Sequence, residues 1–130
     1  MAVLIDTSVL VNAERRGQSL DRSIGDEDRA ISVITASELL HGVHRAVASA
    51  VRARRAAFVE HLIASLEPLP ITTAVARAHA GIWAGLEQRG NLIGAHDLWI
   101  AATAVSHGME VATANPGEFE RVPGLTVVPV

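Results

Sequence analysis

The stretch Ala2-Val3-Leu4-Ile5-Asp6-Thr7-Ser8-Val9-Leu10 decides the fold. Its first apolar run is short and rich in branched side chains, so Ala2 to Asp6 reads as a strand buried on both faces. Thr7 to about Arg16 then reads as a helix, ended by Gly17. Asp6 therefore stands where a buried strand gives way to a helix. An ionised carboxylate at the margin of a core needs a compensating cation or another partner.

The same alternation continues along the chain. Ala30 to Ile34 reads as a second strand, Thr35 as the cap of a helix reaching about Ala48, and Val51 to Leu66 as a further helix. Glu67-Pro68-Leu69-Pro70-Ile71 is an extended piece kept out of helix by its prolines. Thr72 or Thr73 caps a helix running to Arg89 and stopped by Gly90, and Asp97 to His107 forms another that stops at Gly108. Met109 to Thr113 and Leu125 to Val128 are the last strands. Short apolar strands separated by helices imply an α/β fold whose mostly parallel sheet is covered on both faces, with ligands expected beyond the carboxyl ends of the strands.

Composition bounds the function. A chain of 130 residues, 49% hydrophobic and 19% charged, is expected to form one domain over residues 1–130. No apolar run approaches the roughly 18 residues of a membrane span, and an amino terminus broken by Asp6 does not read as a signal peptide, so a cytoplasmic protein is expected. There is no cysteine, so any metal must be held by oxygen or imidazole. A net charge of -3 argues against coating nucleic acid by bulk electrostatics. The sequence lacks lysine, and Arg45, Arg52, Arg54 and Arg55 gather all in one region. Arginine forks match phosphates, so these four are candidates for RNA contacts, against the alternative of a solvated helix face. A mean hydropathy of +0.29 suggests an apolar surface covered by another subunit.

Four acids edge the apolar segments: Asp6, Glu38, Asp97 and Glu118. Asp6 and Asp97 have the bland alternative of capping the helices they open. On a helical wheel Asp97 points with Ala101 and Ala104, toward the core. Glu38 falls nearly opposite Ala36, Leu40, Val43 and Val47, beside Arg45, as a solvated glutamate would. Glu118 lies in a loop, where plain surface is the default. Glu38-Leu39-Leu40-His41 offers one Glu-x-x-His unit, but a di-iron bundle needs two, and His-Glu-x-x-His is absent. The other histidines read as helix surface, although His96 adjoins Asp97.

Four motifs in order carry a family resemblance. Val3-Leu4-Ile5-Asp6-Thr7-Ser8-Val9-Leu10 resembles the opening of PIN domains. Ser32-Val33-Ile34-Thr35-Ala36-Ser37-Glu38-Leu39-Leu40-His41-Gly42-Val43 is similar to their second motif, and His96-Asp97-Leu98-Trp99-Ile100-Ala101-Ala102-Thr103-Ala104 to the third. Thr113-Ala114-Asn115-Pro116-Gly117-Glu118-Phe119-Glu120-Arg121-Val122-Pro123-Gly124-Leu125 is close to the last. Order, spacing and length resemble the VapC toxins of bacterial toxin-antitoxin pairs. The resemblance implies a three-layer α/β/α PIN domain and a metal-dependent endoribonuclease, using Mg2+ or Mn2+, that cuts cellular RNA until a cognate VapB-type antitoxin blocks it. It also implies that Asp6, Glu38, Asp97 and Glu118 form the acidic pocket. Ala114 departs from the pattern, and Pro116-Gly117 intervenes before Glu118, which leaves Glu120 as a rival for the fourth acid.

The chemistry agrees with that assignment. An acidic pocket alone repels a phosphodiester, whereas hard oxygen ligands suit magnesium or manganese, which clamp the phosphate and acidify a water. Asp6, Asp97 and one further acid would hold the ion directly or through water, with Glu38 a ligand or the base that orients water. Thr7, Thr113 and Asn115 would hydrogen-bond these acids. Receiver domains need a lysine and haloacid dehalogenase-like phosphatases a second Asp where Ser8 stands, so both are excluded. The remaining alternative is a module that binds RNA or antitoxin without cutting. A homodimer through the helices after Thr35 or Thr73 is expected, with a groove for an antitoxin segment.

Overall fold

The computed structural model describes residues 2–17 and 28–130. Strand β1 (Val3–Ile5) is completely enclosed, and β2 (Arg29–Ala30) pairs with it in parallel, Val3 against Arg29. Strand β3 (Glu110–Thr113) lies on its other side, and β4 (Val127–Pro129) completes a parallel sheet of order β2-β1-β3-β4. The helices are α1 (Thr7–Arg16), α2 (Val33–Arg45), α3 (Ser49–Leu66), α4 (Thr73–Gln88), α5 (Ala95–His107) and the short α6 (Pro116–Phe119). None is long and apolar enough to cross a membrane, among the described residues.

Successive side chains of a strand leave opposite faces of the sheet, and here they enter different cores. Leu4 and Val111 pack with Leu86 of α4, with Leu98, Ile100, Ala101 and Ala104 of α5, and with Phe119 of α6. Ile5 instead meets Val9 and Leu10 of α1, Leu39 of α2, and Val59 and Leu62 of α3. The sheet is thus the middle of three layers, with α1 to α3 on one face and α4 to α6 on the other.

The second strand and its helix differ from the sequence reading. Strand β2 ends at Ala30, and α2 begins at Val33 with Ser32, not Thr35, as its cap: the Ser32 hydroxyl accepts the Thr35 backbone N–H at 3.0 Å. Long-range pairing ends the strand, because Ile31 O accepts from Leu69 N and Leu69 O from Val33 N, each at 2.9 Å. The extended piece around Pro68 and Pro70 therefore borders the sheet through a parallel bridge between Ser32 and Leu69. Helix α2 also stops early. Ala46 is buried at its end, and Arg52 donates to Ala46 O from Nε (3.1 Å) and Nη2 (2.7 Å), turning the chain into α3.

Two further differences bear on the site. Helix α5 starts at Ala95, so Asp97 is in its first turn rather than at its cap, and Gly94 takes the cap position. Glu118 belongs to the turn α6, anchored by the fully buried Phe119.

Candidate acidic active site

The register of β1 and β3 builds the site. Ile5 pairs with Ala112, and Asp6 N donates to Ala112 O at 2.9 Å, so Asp6 and Thr113 leave the sheet side by side at its carboxyl edge. Asp6 is only 4% exposed, and its carboxylate does not cap α1. Its Oδ2 instead accepts from Ser8 Oγ at 2.6 Å and from Thr113 Oγ1 at 2.9 Å. These hydroxyls are themselves held in place: Ala114 N donates to Ser8 Oγ at 3.1 Å and Asn115 N to Thr113 Oγ1 at 3.0 Å. A buried carboxylate so fixed has its orientation set by two chain segments, 6–8 and 113–115.

Glu38 reaches the site from the middle of α2. Thr7 Oγ1 donates to Glu38 Oε1 at 2.7 Å and lies 3.1 Å from Thr35 Oγ1, while His96 Nδ1 stands 3.3 Å from Glu38 Oε2. Asp97 and Glu118 meet on the opposite side, hydrogen-bonded to each other. Gly94 N donates to Glu118 Oε1 at 3.2 Å. A methyl group at position 94 would lie 3.7 Å from Glu118 Oε2 and 3.9 Å from Asp97 Oδ2, so this turn runs directly beside the pair.

The electrostatics report how closely the four acids converge. Burial pushes the Asp97 carboxyl up to about 8, aided by the hydrogen bond with Glu118 and by the negative charges of Asp6, Glu118 and Glu38. Glu118 moves down instead, held ionised mainly by the hydrogen bond from Asp97, then by Gly94 N–H and Arg121. One proton is thus shared by Asp97 and Glu118. Among the described residues no three acidic or imidazole side chains are drawn in tightly enough to grip one ion. Asp6 and Glu38 spend their oxygens on hydroxyl and imidazole partners, whereas Asp97 and Glu118 turn toward each other. The donor set, all carboxylate and hydroxyl oxygen, fits a hard divalent cation.

A cleft of about 460 Å³ opens on three of these acids, lined by Asp6, Thr7, Ser8, Asn12, Glu38, Asp97 and Asn115 among others, while Glu118 stands behind Asp97 and does not line it. A groove of about 870 Å³ adjoins it and shares Thr7, Val11 and Glu38. Arg45 and Arg55 line that groove with Arg15. Arg52 is committed to Ala46 O, and Arg54 pairs with Glu14 at 3.3 Å, so the structure splits the arginine cluster. Arg55 Nη1 also donates to Gly42 O at 3.3 Å.

Three participants escape a reading of the sequence. Ser8 binds Asp6, Thr35 joins the Thr7 network, and Asn12 lines the cleft. Ser8 carries a usable signal, a hydroxyl two residues after an acid at a strand-to-helix turn. Asn12 carries none, being a polar residue in an amphipathic helix.

Comparison with known proteins gives a consistent result. The family model of the PIN domain matches residues 3–125. Ribonuclease VapC1 of Rickettsia felis is 35% identical over 130 residues, covering 100% of this chain and 97% of its own. The tRNA(fMet)-specific endonuclease VapC of Salmonella typhimurium is 39% identical over 97 residues, 75% of this chain and 71% of the relative. The DNA-bound VapBC structure of Salmonella typhimurium superposes with a TM-score of 0.88 at 31% identity, covering 99% of this chain and 98% of that one. The three layers, the acids gathered at the sheet edge and the full-length matches agree, and the chain belongs to the VapC ribonucleases of the PIN-domain family.

Proposed function

We propose that this chain is the toxin of a type II toxin-antitoxin pair, a metal-dependent endoribonuclease acting at the Asp6, Glu38, Asp97 and Glu118 cluster. The observation that carries this reading is the convergence of Asp6, Glu38 and Asp97 on one cleft at the carboxyl edge of the sheet, where burial and the neighbouring acids push the Asp97 carboxyl up to about 8. A site that strains against its own charge in this way stores affinity for a cation. Nucleases of this family depend on a divalent cation, and Mg2+, with Mn2+ as a substitute, is the ion proposed here. When bound, such an ion neutralises the phosphate and lowers the pKa of a water.

The residues supply the rest. Asp6, fixed by Ser8 and Thr113, and Asp97 are the proposed ligands, joined by Glu118 or through water by Glu38. Glu38, with Thr7 on one oxygen, lines the open cleft, which supports a role as a ligand or as the base that orients water. Glu118 is favoured over Glu120 as the fourth acid by its hydrogen bond to Asp97. Arg45 and Arg55 are proposed to hold RNA phosphates along the adjoining groove.

A cognate VapB-type antitoxin is the proposed inhibitor, in keeping with the VapBC complexes that this chain resembles. Self-association is proposed through α4, which buries only Val75 and Leu86 deeply and leaves Trp83 49% exposed. The decisive experiment is incubation of purified protein with tRNA and total RNA, with and without Mg2+, beside Asp97→Asn. Metal-dependent cleavage lost in the variant supports the reading, and cleavage that survives exhaustive chelation overturns it.

A further inference from the structure

Glu38 is gripped by both of its oxygens, from two elements remote in sequence. Thr7, the first residue of α1, holds Oε1 at 2.7 Å, and His96, in the first turn of α5, meets Oε2 at 3.3 Å. An ionised carboxylate only accepts, so the facing ring nitrogen carries hydrogen, and Nδ1–H is set whether the ring is neutral or charged. The His96 side chain is 66% exposed, and a contact so open to water adds little to folding. What the contact does fix is the position of Glu38 Oε2 relative to α5. His96 and Asp97 are consecutive, yet Asp97 joins Glu118 while His96 joins Glu38, so one turn of α5 reaches both sides of the acid cluster. His96 also lines the larger groove, and Glu38 lines both groove and cleft, which puts the pair on the seam between them.

We propose that His96 is a positioning residue of the nuclease site, which with Thr7 holds the Glu38 carboxylate at the mouth of the acid cleft. This rests on the nuclease reading above. Without His96, Glu38 keeps only the Thr7 hydroxyl and can rotate out along the groove. Partners of this kind, acting through a ligating or water-orienting carboxylate, are commonly worth about 10-fold to 100-fold in metal affinity or activity.

The test is a double-mutant cycle read by Mg2+ and Mn2+ titration calorimetry and by kcat and KM on a cleaved RNA. His96→Ala should lower kcat and metal affinity about 10-fold, with little change in melting temperature. His96→Asn, whose amide nitrogen takes nearly the position of Nδ1, should restore most of the loss. In a Glu38→Ala background, which leaves the ring no side chain to hold, His96→Ala should have no further effect on metal affinity. Equal losses in both backgrounds, or an unchanged kcat and metal affinity in His96→Ala, overturn the proposal. Failure of the wild-type protein to cleave with any divalent ion overturns the nuclease reading instead, while the metal titration still decides whether His96 acts through Glu38.

Discussion

Asp97 and Glu118 share a hydrogen bond and one proton between them at the carboxyl edge of the sheet. Asp97 is the group that retains the proton, because burial and the surrounding negative charge resist its ionisation. A carboxyl whose folded pKa lies near 8, far above its ordinary 3.8, favours the folded state only while protonated. Between about pH 4 and 8 the unfolded chain releases this proton and the folded chain keeps it. Stability in chelator should therefore fall across that window, whereas Glu118, whose pKa is lowered, contributes stability that is lost only on acidification. Thermal melting in chelator from about pH 5 to 8.5 should show the decline, and Mg2+ should reverse it, increasingly so as pH rises. Asp97→Asn should flatten the curve, raise the melting temperature near pH 8 and lower RNA cleavage by about 100-fold or more. A melting temperature indifferent to pH in the wild type would sink the shared-proton description.

Thr113 is fully buried, donates to Asp6 Oδ2 and accepts from Asn115 N, so Thr113→Val keeps the shape but strands the Asn115 N–H and leaves Asp6 Oδ2 only the Ser8 hydroxyl. The expected cost is about 1–3 kcal/mol in urea unfolding, with weaker metal binding because Asp6 is no longer oriented. An unchanged unfolding midpoint would mean that water replaces the hydroxyl.

The acids differ in how far the sequence discloses them, and the reason is the range of the interactions involved. Asp6 was legible because a strand end is a local signal, and Asp97 because its helix is apolar nearly all round. Glu38 was not, since a helical wheel assumes that the side opposite Leu40 and Val43 faces water. That side faces Thr7 of α1, while Val47, counted with the apolar stripe, lies beyond the helix and is 94% exposed. The cap falls at Ser32 instead of Thr35 for a similar reason: both residue types cap helices, and only the distant Leu69 ends the strand early. The three-layer order itself was readable from the alternation of strands and helices.

Glu118 depends on a residue that never touches the chemistry. Phe119 is fully buried in the core cluster that holds Leu98 and Ile100, and the preceding residue, Glu118, accepts from Gly94 N–H. Phe119→Ala should cost about 3–5 kcal/mol, and Phe119→Leu appreciably less. In the leucine variant, which should remain folded, Glu118 loses its registry with Gly94 N–H, so metal affinity should drop more than RNA affinity does. Calorimetric titration of metal and of RNA into the same preparation separates the two. An equal drop in both would indicate general loosening instead.

Arg45 and Arg52 lie seven positions apart and should fail in different assays. Arg52 closes the end of α2 with two hydrogen bonds to Ala46 O, so Arg52→Ala leaves the carbonyl of a buried residue without them. Bonds to a charged donor are worth about 1.5–3 kcal/mol, and the loss should appear in urea unfolding with RNA affinity retained. Arg45 is exposed and lines the groove beside Arg55, so Arg45→Ala should leave the unfolding midpoint in place. Its signature lies in salt dependence, because each phosphate contact to a single strand contributes a slope of about 0.7 in log affinity against log salt. Binding of a short RNA to Asp97→Asn, compared with the same protein carrying Arg45→Ala across a salt series, measures that slope directly. If the two slopes coincide, RNA does not pass along this groove, and the arginines of α2 and α3 serve the fold alone.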